Sequence, residues 1–89
     1  MRCVISVLGK DTTGIVAAVT STLATCGANI DDISQTILDN LFSMTMLVTL
    51  DTDKADFNEV QERLDATARD IGVQITFQRQ DVFDYMYKI

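Results

Sequence analysis

From Leu41 to Leu50 the chain reads LFSMTMLVTL, in which Phe42, Met44, Met46, Val48 and Leu50 alternate with Ser43, Thr45, Leu47 and Thr49. Side chains along a strand point to opposite faces in turn, so a period of two describes a strand covered on one face. Such a strand needs neighbours. The preceding segment, ANIDDISQTIL, is separated from it by Asp39-Asn40. Both turn residues tolerate the positive φ that a two-residue hairpin requires, so two antiparallel strands are predicted, the first over Ile30–Leu38.

The remaining segments supply what this hairpin packs against. Residues Arg2–Leu8 (RCVISVL) are apolar or β-branched at nearly every position, as in a strand buried inside a sheet. Gly9–Thr13 ends that run. Ile15, Ala18, Val19, Leu23 and Cys26 then recur at helical spacing, with Thr13 as N-cap and Gly27 as the terminating glycine. A second apolar stripe comprises Phe57, Val60, Leu64, Ala68 and Ile71, started by Asp53 and ended by Gly72. Glu59–Arg63 and Asp65–Arg69 form i,i+4 pairs on its wet side. The segment VQITFQR, from Val73 to Arg79, alternates again and reads as a half-exposed strand.

The order βαββαβ predicts an α+β, ferredoxin-like sandwich. Its four antiparallel strands stand in the order 4-1-3-2, with two helices on one face and Ile30–Leu38 as an exposed edge. In residues 80–89, Val82, Phe83, Met86 and Ile89 fall at helical spacing. A short helical tail that docks on the body or on a partner subunit would cover them.

With 89 residues, 47% of them apolar, the chain holds one domain, residues 1–89. The formal charge of −6, with seven basic residues scattered from Arg2 to Lys88, disfavours nucleic acid and anionic membrane surfaces. No apolar run approaches the ~20 residues of a membrane span, and no signal peptide is evident. A cytoplasmic protein is expected. Cys3 and Cys26 then read as small buried hydrophobes. The chain has no histidine. This excludes Ser-His-Asp and Cys-His nucleophile pairs and removes the commonest metal ligand, so no catalytic residue, metal or cofactor is expected.

Other chemistries that this fold hosts find no residues here. The first loop, GKDTTG, lacks the thiolates of metal carriers. The central strands lack the aromatics on which RNA bases stack. No arginine lies between Arg2 and Arg63 to cradle a phosphoryl group. Lys10 is followed by Asp11, not by the Ser or Thr of a P-loop. Asp31 and Asp32, adjacent on a strand, should point to opposite faces, as solvated edge charges or as part of a subunit interface. Met44 and Met46 read as core filler.

The junction at Gly9–Ile15 has two readings. A helix N-terminus offers unsatisfied N–H groups and a partial positive charge, Gly14 allows a close approach, and Asp11 would accept from an ammonium group. Together these suit an α-amino acid. In the plainer reading, Thr13 caps the helix and Asp11 shapes the turn.

GKDTTGIVAAVTSTLATCGANIDDISQTI resembles the ACT domain, a small βαββαβ regulatory module of amino-acid metabolism. The matching positions are Asp11, Gly14, Ile15, Gly27, Asn29 and Ile30; Thr12 and Thr13 replace the family's basic residue and proline. The chain is most like short stand-alone bacterial and archaeal ACT proteins, which share DISQT (Asp32–Thr36) and the MYxI ending (Met86–Ile89). It is also similar to the ACT halves of the glycine-cleavage transcriptional repressor. The resemblance implies non-catalytic sensing of an amino acid at a dimer interface. Asp11, Thr12, Thr13, Gly14 and Ile15 of one subunit would face Asn29, Ile30 and Asp31 of the other, with the Ile30–Leu38 edges paired. A module without ligand that docks on an enzyme or regulator is the alternative.

Overall fold

The computed structural model describes residues 1–10 and 13–86. The elements are β1 (Arg2–Lys10), α1 (Ile15–Thr25), β2 (Asn29–Leu38), β3 (Leu41–Thr49), α2 (Phe57–Ile71), β4 (Gln74–Arg79) and α3 (Gln80–Met86). The strands form one sheet in the order β2-β3-β1-β4, all neighbours antiparallel, which is the expected ferredoxin-like topology. Strand β1 runs two residues past its expected end, through Gly9 and Lys10, because β3 continues to pair with it as far as Leu41.

Register assigns every side chain to a face. Cys3, Ile5 and Val7 on β1 stand beside Val48, Met46 and Met44 on β3. These six are fully or almost fully buried, together with Ile15, Val19 and Leu23 of α1 and Val60 and Leu64 of α2. Both helices therefore lie on one face, and the methionines fill the core beneath them. Cys3 and Cys26 are free thiols within that core, and burial pushes the Cys3 thiol up from its ordinary value. The α1–α2 seam is closed by a hydrogen bond of 2.6 Å between the Thr22 and Thr67 hydroxyls.

The turn between β2 and β3 has two residues, and Asp39 takes φ 57° as such a turn demands. Helix α1 ends in a Schellman motif: the Gly27 N–H donates to the Ala24 carbonyl and the Ala28 N–H to the Leu23 carbonyl, at 3.0 Å each. Gly72, at φ 70°, ends α2 as expected. The helix starts depart from expectation. Asp56, not Asp53, caps α2 by accepting the Glu59 N–H at 2.8 Å, because the helix begins only at Phe57. Thr13 does not cap α1: the N-cap is Gly14, and no side-chain cap bond is made among the described residues. Glu59 and Arg63 pair at 3.9 Å, but Asp65 accepts from Gln61 at 3.0 Å instead of meeting Arg69.

The other face of the sheet is the more polar one, although Val4 and Leu47 also lie on it. Thr76, Ser6, Thr45 and Ser34 stand in one row across all four strands. Helix α3 follows β4 without a loop and packs against β1 and β4. Phe83 is its one half-buried apolar residue, while Val82, Tyr85 and Met86 remain exposed and Ile89 falls outside the described residues. No described helix is long and apolar enough to cross a membrane.

Candidate functional site

The residues singled out from sequence fall at two places, and Asp11 and Thr12 lie outside the described residues. Gly14 occupies the left-handed region at φ 93°, which favours glycine, and its carbonyl accepts the Ala18 N–H at 2.9 Å. Among the described residues no side chain caps the first turn, and none within it is acidic, so the N–H groups of that turn have no intrahelical acceptor. Thr13 and Gly14 are exposed. Ile15 is buried in the core, so it can offer a ligand only its backbone N–H.

The second place is the start of β2. A β-bulge between Ile30 and Asp32 leaves Asp31 without a partner in the ladder. Its carboxylate accepts the Thr49 hydroxyl at 2.5 Å and the Asn29 amide at 2.7 Å, with the Arg2 guanidinium 3.7 Å away. These contacts, the Thr49 and Asn29 hydrogen bonds first, hold the Asp31 carboxyl below the usual carboxylate range. The bulge also corrects the expectation for the acidic pair. Asp32 stands opposite Leu47, and Asp31 reaches Thr49 and Arg2, so both aspartates share the polar face. Strict alternation would have separated them; the inserted residue cancels it. Ile30 is half-buried against the core.

Within one chain these two places do not meet. Asn29 and Arg2 both stand opposite Thr49, while Lys10 and Leu38 both stand opposite Leu41. The end of β1 at Lys10 is thus at the far end of the sheet from Asn29–Asp31, roughly 27 Å away at ~3.4 Å per strand residue. Among the described residues no three His, Cys, Asp or Glu side chains gather to hold a metal ion.

Sequence reasoning missed a further feature, a groove of about 260 Å³ between the polar sheet face and α3. The only sequence signal for it was the apolar tail, whose Phe83 forms part of its wall.

A family model described as ACT domain matches residues 2–78. A UPF0237 protein of Methanocaldococcus jannaschii is 49% identical over 88 residues, covering 99% of this chain and 98% of that protein. The solved structure of an ACT domain protein from Streptococcus pneumoniae superposes with a TM-score of 0.82 at 42% identity, covering 98% of each chain. That of a putative glycine cleavage system transcriptional repressor shares the fold, with a TM-score of 0.75 at 20% identity over 86% of this chain and 44% of that one.

Proposed function

The chain belongs to the ACT domain family, and from that premise we propose that it is a non-catalytic regulatory domain that binds an amino acid between two copies of itself. One observation carries the reading: Gly14 and Asn29–Asp31 sit at opposite ends of a sheet whose β2 edge has no neighbouring strand among the described residues. A two-fold axis perpendicular to the sheet, pairing β2 antiparallel with its copy, exchanges the ends. It brings the Asn29–Asp31 segment of one subunit level with the opening loop of the other, three strand spacings or about 14 Å across.

Pairing would extend four strands to eight and remove an open edge that otherwise invites uncontrolled association. It would also draw a neighbour beside Ile33 and Ile37, which are exposed on the helix side of β2. The first-turn N–H groups after Gly14, which have no intrahelical acceptor, suit the ligand's carboxylate, and Asp11 with Asp31 suits its ammonium. The small apolar-cored domain, acidic and with reduced cysteines, fits a cytoplasmic setting.

The engagement of the Asp31 carboxylate by Thr49 and Asn29 favours a second reading, a docking module that has given up its ligand. Two measurements decide. Light scattering at micromolar concentration should give a dimer, and a stable monomer would end the proposal. Calorimetry against a panel of amino acids should find a binder whose affinity falls on Asn29→Ala. A folded dimer that binds none of them transfers the case to docking.

A further inference from the structure

The groove beneath α3 is chemically unlike the amino-acid site. Its floor is apolar, formed by Val4 and Leu47, and Phe83 supplies a wall. Val4 is only 4% exposed although it lies outside the helix-side core, so α3 already keeps this part of the sheet dry. The polar side chains at the groove are the hydroxyls of Ser34 and Thr45, the amide of Gln80 and the carboxylates of Asp32 and Asp84.

Among the described residues no lysine or arginine lines it. Arg2 and Arg79, which border the adjoining hollow together with Asp84, are already engaged by Asp31 and Asp81. Asp32 spends one oxygen on the Ile33 N–H at 2.9 Å and keeps the other. Asp84 has no hydrogen bond or ion pair among the described residues.

We propose that this groove binds a small organic cation, a primary ammonium ion carrying a short apolar body. The volume is just below the ~300 Å³ at which most ligand sites begin, which sets the size of the guest. The apolar body rests on Val4, Leu47 and Phe83. The ammonium has three donors and no acceptor, and it meets two carboxylates and two hydroxyls. Anions are rejected by the same carboxylates. A zwitterionic amino acid is disfavoured because its carboxylate finds no cation among the described residues, which sets this site apart from the one that Gly14 and Asn29 would form.

The test uses phenethylammonium chloride and its anionic counterpart, 3-phenylpropionate, followed by amide NMR of the whole protein. The ammonium should shift the signals of Ser34, Thr45, Phe83 and Asp84 progressively while those of Gly14 and Asn29 stay in place. The Asp32→Asn/Asp84→Asn double variant is isosteric, and its spectral dispersion reports that it remains folded. It should bind the ammonium at least tenfold more weakly, and the carboxylate should leave the groove signals unmoved. Groove signals that ignore the ammonium, equal affinity in the double variant, or a matching response to the carboxylate would each overturn the proposal.

Discussion

The rings of Phe57 and Phe77 stack with centroids 4.4 Å apart and planes 16° from parallel, joining the first residue of α2 to the middle of β4. Phe77 is buried and Phe57 half-buried, so the pair seals the edge of the core at β4. Phe77→Ala should cost about 3–5 kcal/mol and Leu64→Ala about 2–5 kcal/mol, with Phe57→Ala at a smaller value because its ring keeps some water. Denaturant midpoints of the single variants and of the double Phe57/Phe77 variant measure this. A strictly additive double variant would show that the stacked rings are merely adjacent.

Gly9 has no space for a side chain. A Cβ there would lie 2.7 Å from Val73 Cγ1 and 3.1 Å from Val73 Cβ. Gly9→Ala should therefore destabilise the fold by about 1–3 kcal/mol, as overpacking does. Shortening the obstacle with Val73→Ala should recover part of that loss in the double variant. A Gly9→Ala protein as stable as wild type would mean that β1 and the entry to β4 can move apart freely.

Gly14 poses the opposite problem. A Cβ at this position meets nothing within 4 Å among the described residues, yet φ is 93°. Gly14→Ala should cost about 1–2 kcal/mol through backbone strain alone, and Gly14→Asn less, since asparagine visits this region more readily. Gly14→Asn is accordingly the variant with which to test ligand binding at this turn. Equal losses for both would point to a contact that the open space around Gly14 does not suggest.

The Asp31 contacts make a pH-dependent contribution whose sign follows from the lowered pKa. A carboxyl depressed in the folded state stabilises fully above its unfolded value, about 3.9, and loses that contribution as pH falls through the folded value. A carbon-detected NMR titration should place the Asp31 midpoint below the ordinary range, and Thr49→Val should raise it. A midpoint at or above the ordinary value would remove the Thr49 and Asn29 hydrogen bonds from the account.

The fold was legible because three periodicities agreed: an alternating strand after the Asp39-Asn40 turn, a stripe through Val60 and Leu64, and a continuous run in β1. Gly27 and Gly72 marked helix ends for a local reason, positive φ, that sequence exposes directly. Helix starts were less legible. Several residues near each start can accept a hydrogen bond, and only the path of the chain chooses Asp56 over Asp53 or leaves Thr13 one place too early. The bulge at Asp31 could not be read, since one inserted residue leaves no mark in an edge strand exposed on both faces. The two stretches proposed as a site were named from the Gly14 junction and from the family resemblance, but their opposite placement depends on register. The groove depends on where α3 lies, which spacing alone does not set.

Met44 and Met46, at 1% and 0% exposure beneath the helices, also give this molecule an internal clock. Their sulfur atoms can meet a peroxide only when the sheet and helices part, whereas Met86, 59% exposed on α3, is open to it at all times. Sulfoxide at Met86 would therefore register dose, and sulfoxide at Met44 or Met46 would register how often the core has opened. A polar, chiral sulfoxide lodged there could not repack beside Ile5 and Leu64, so each such opening would be recorded as lasting damage.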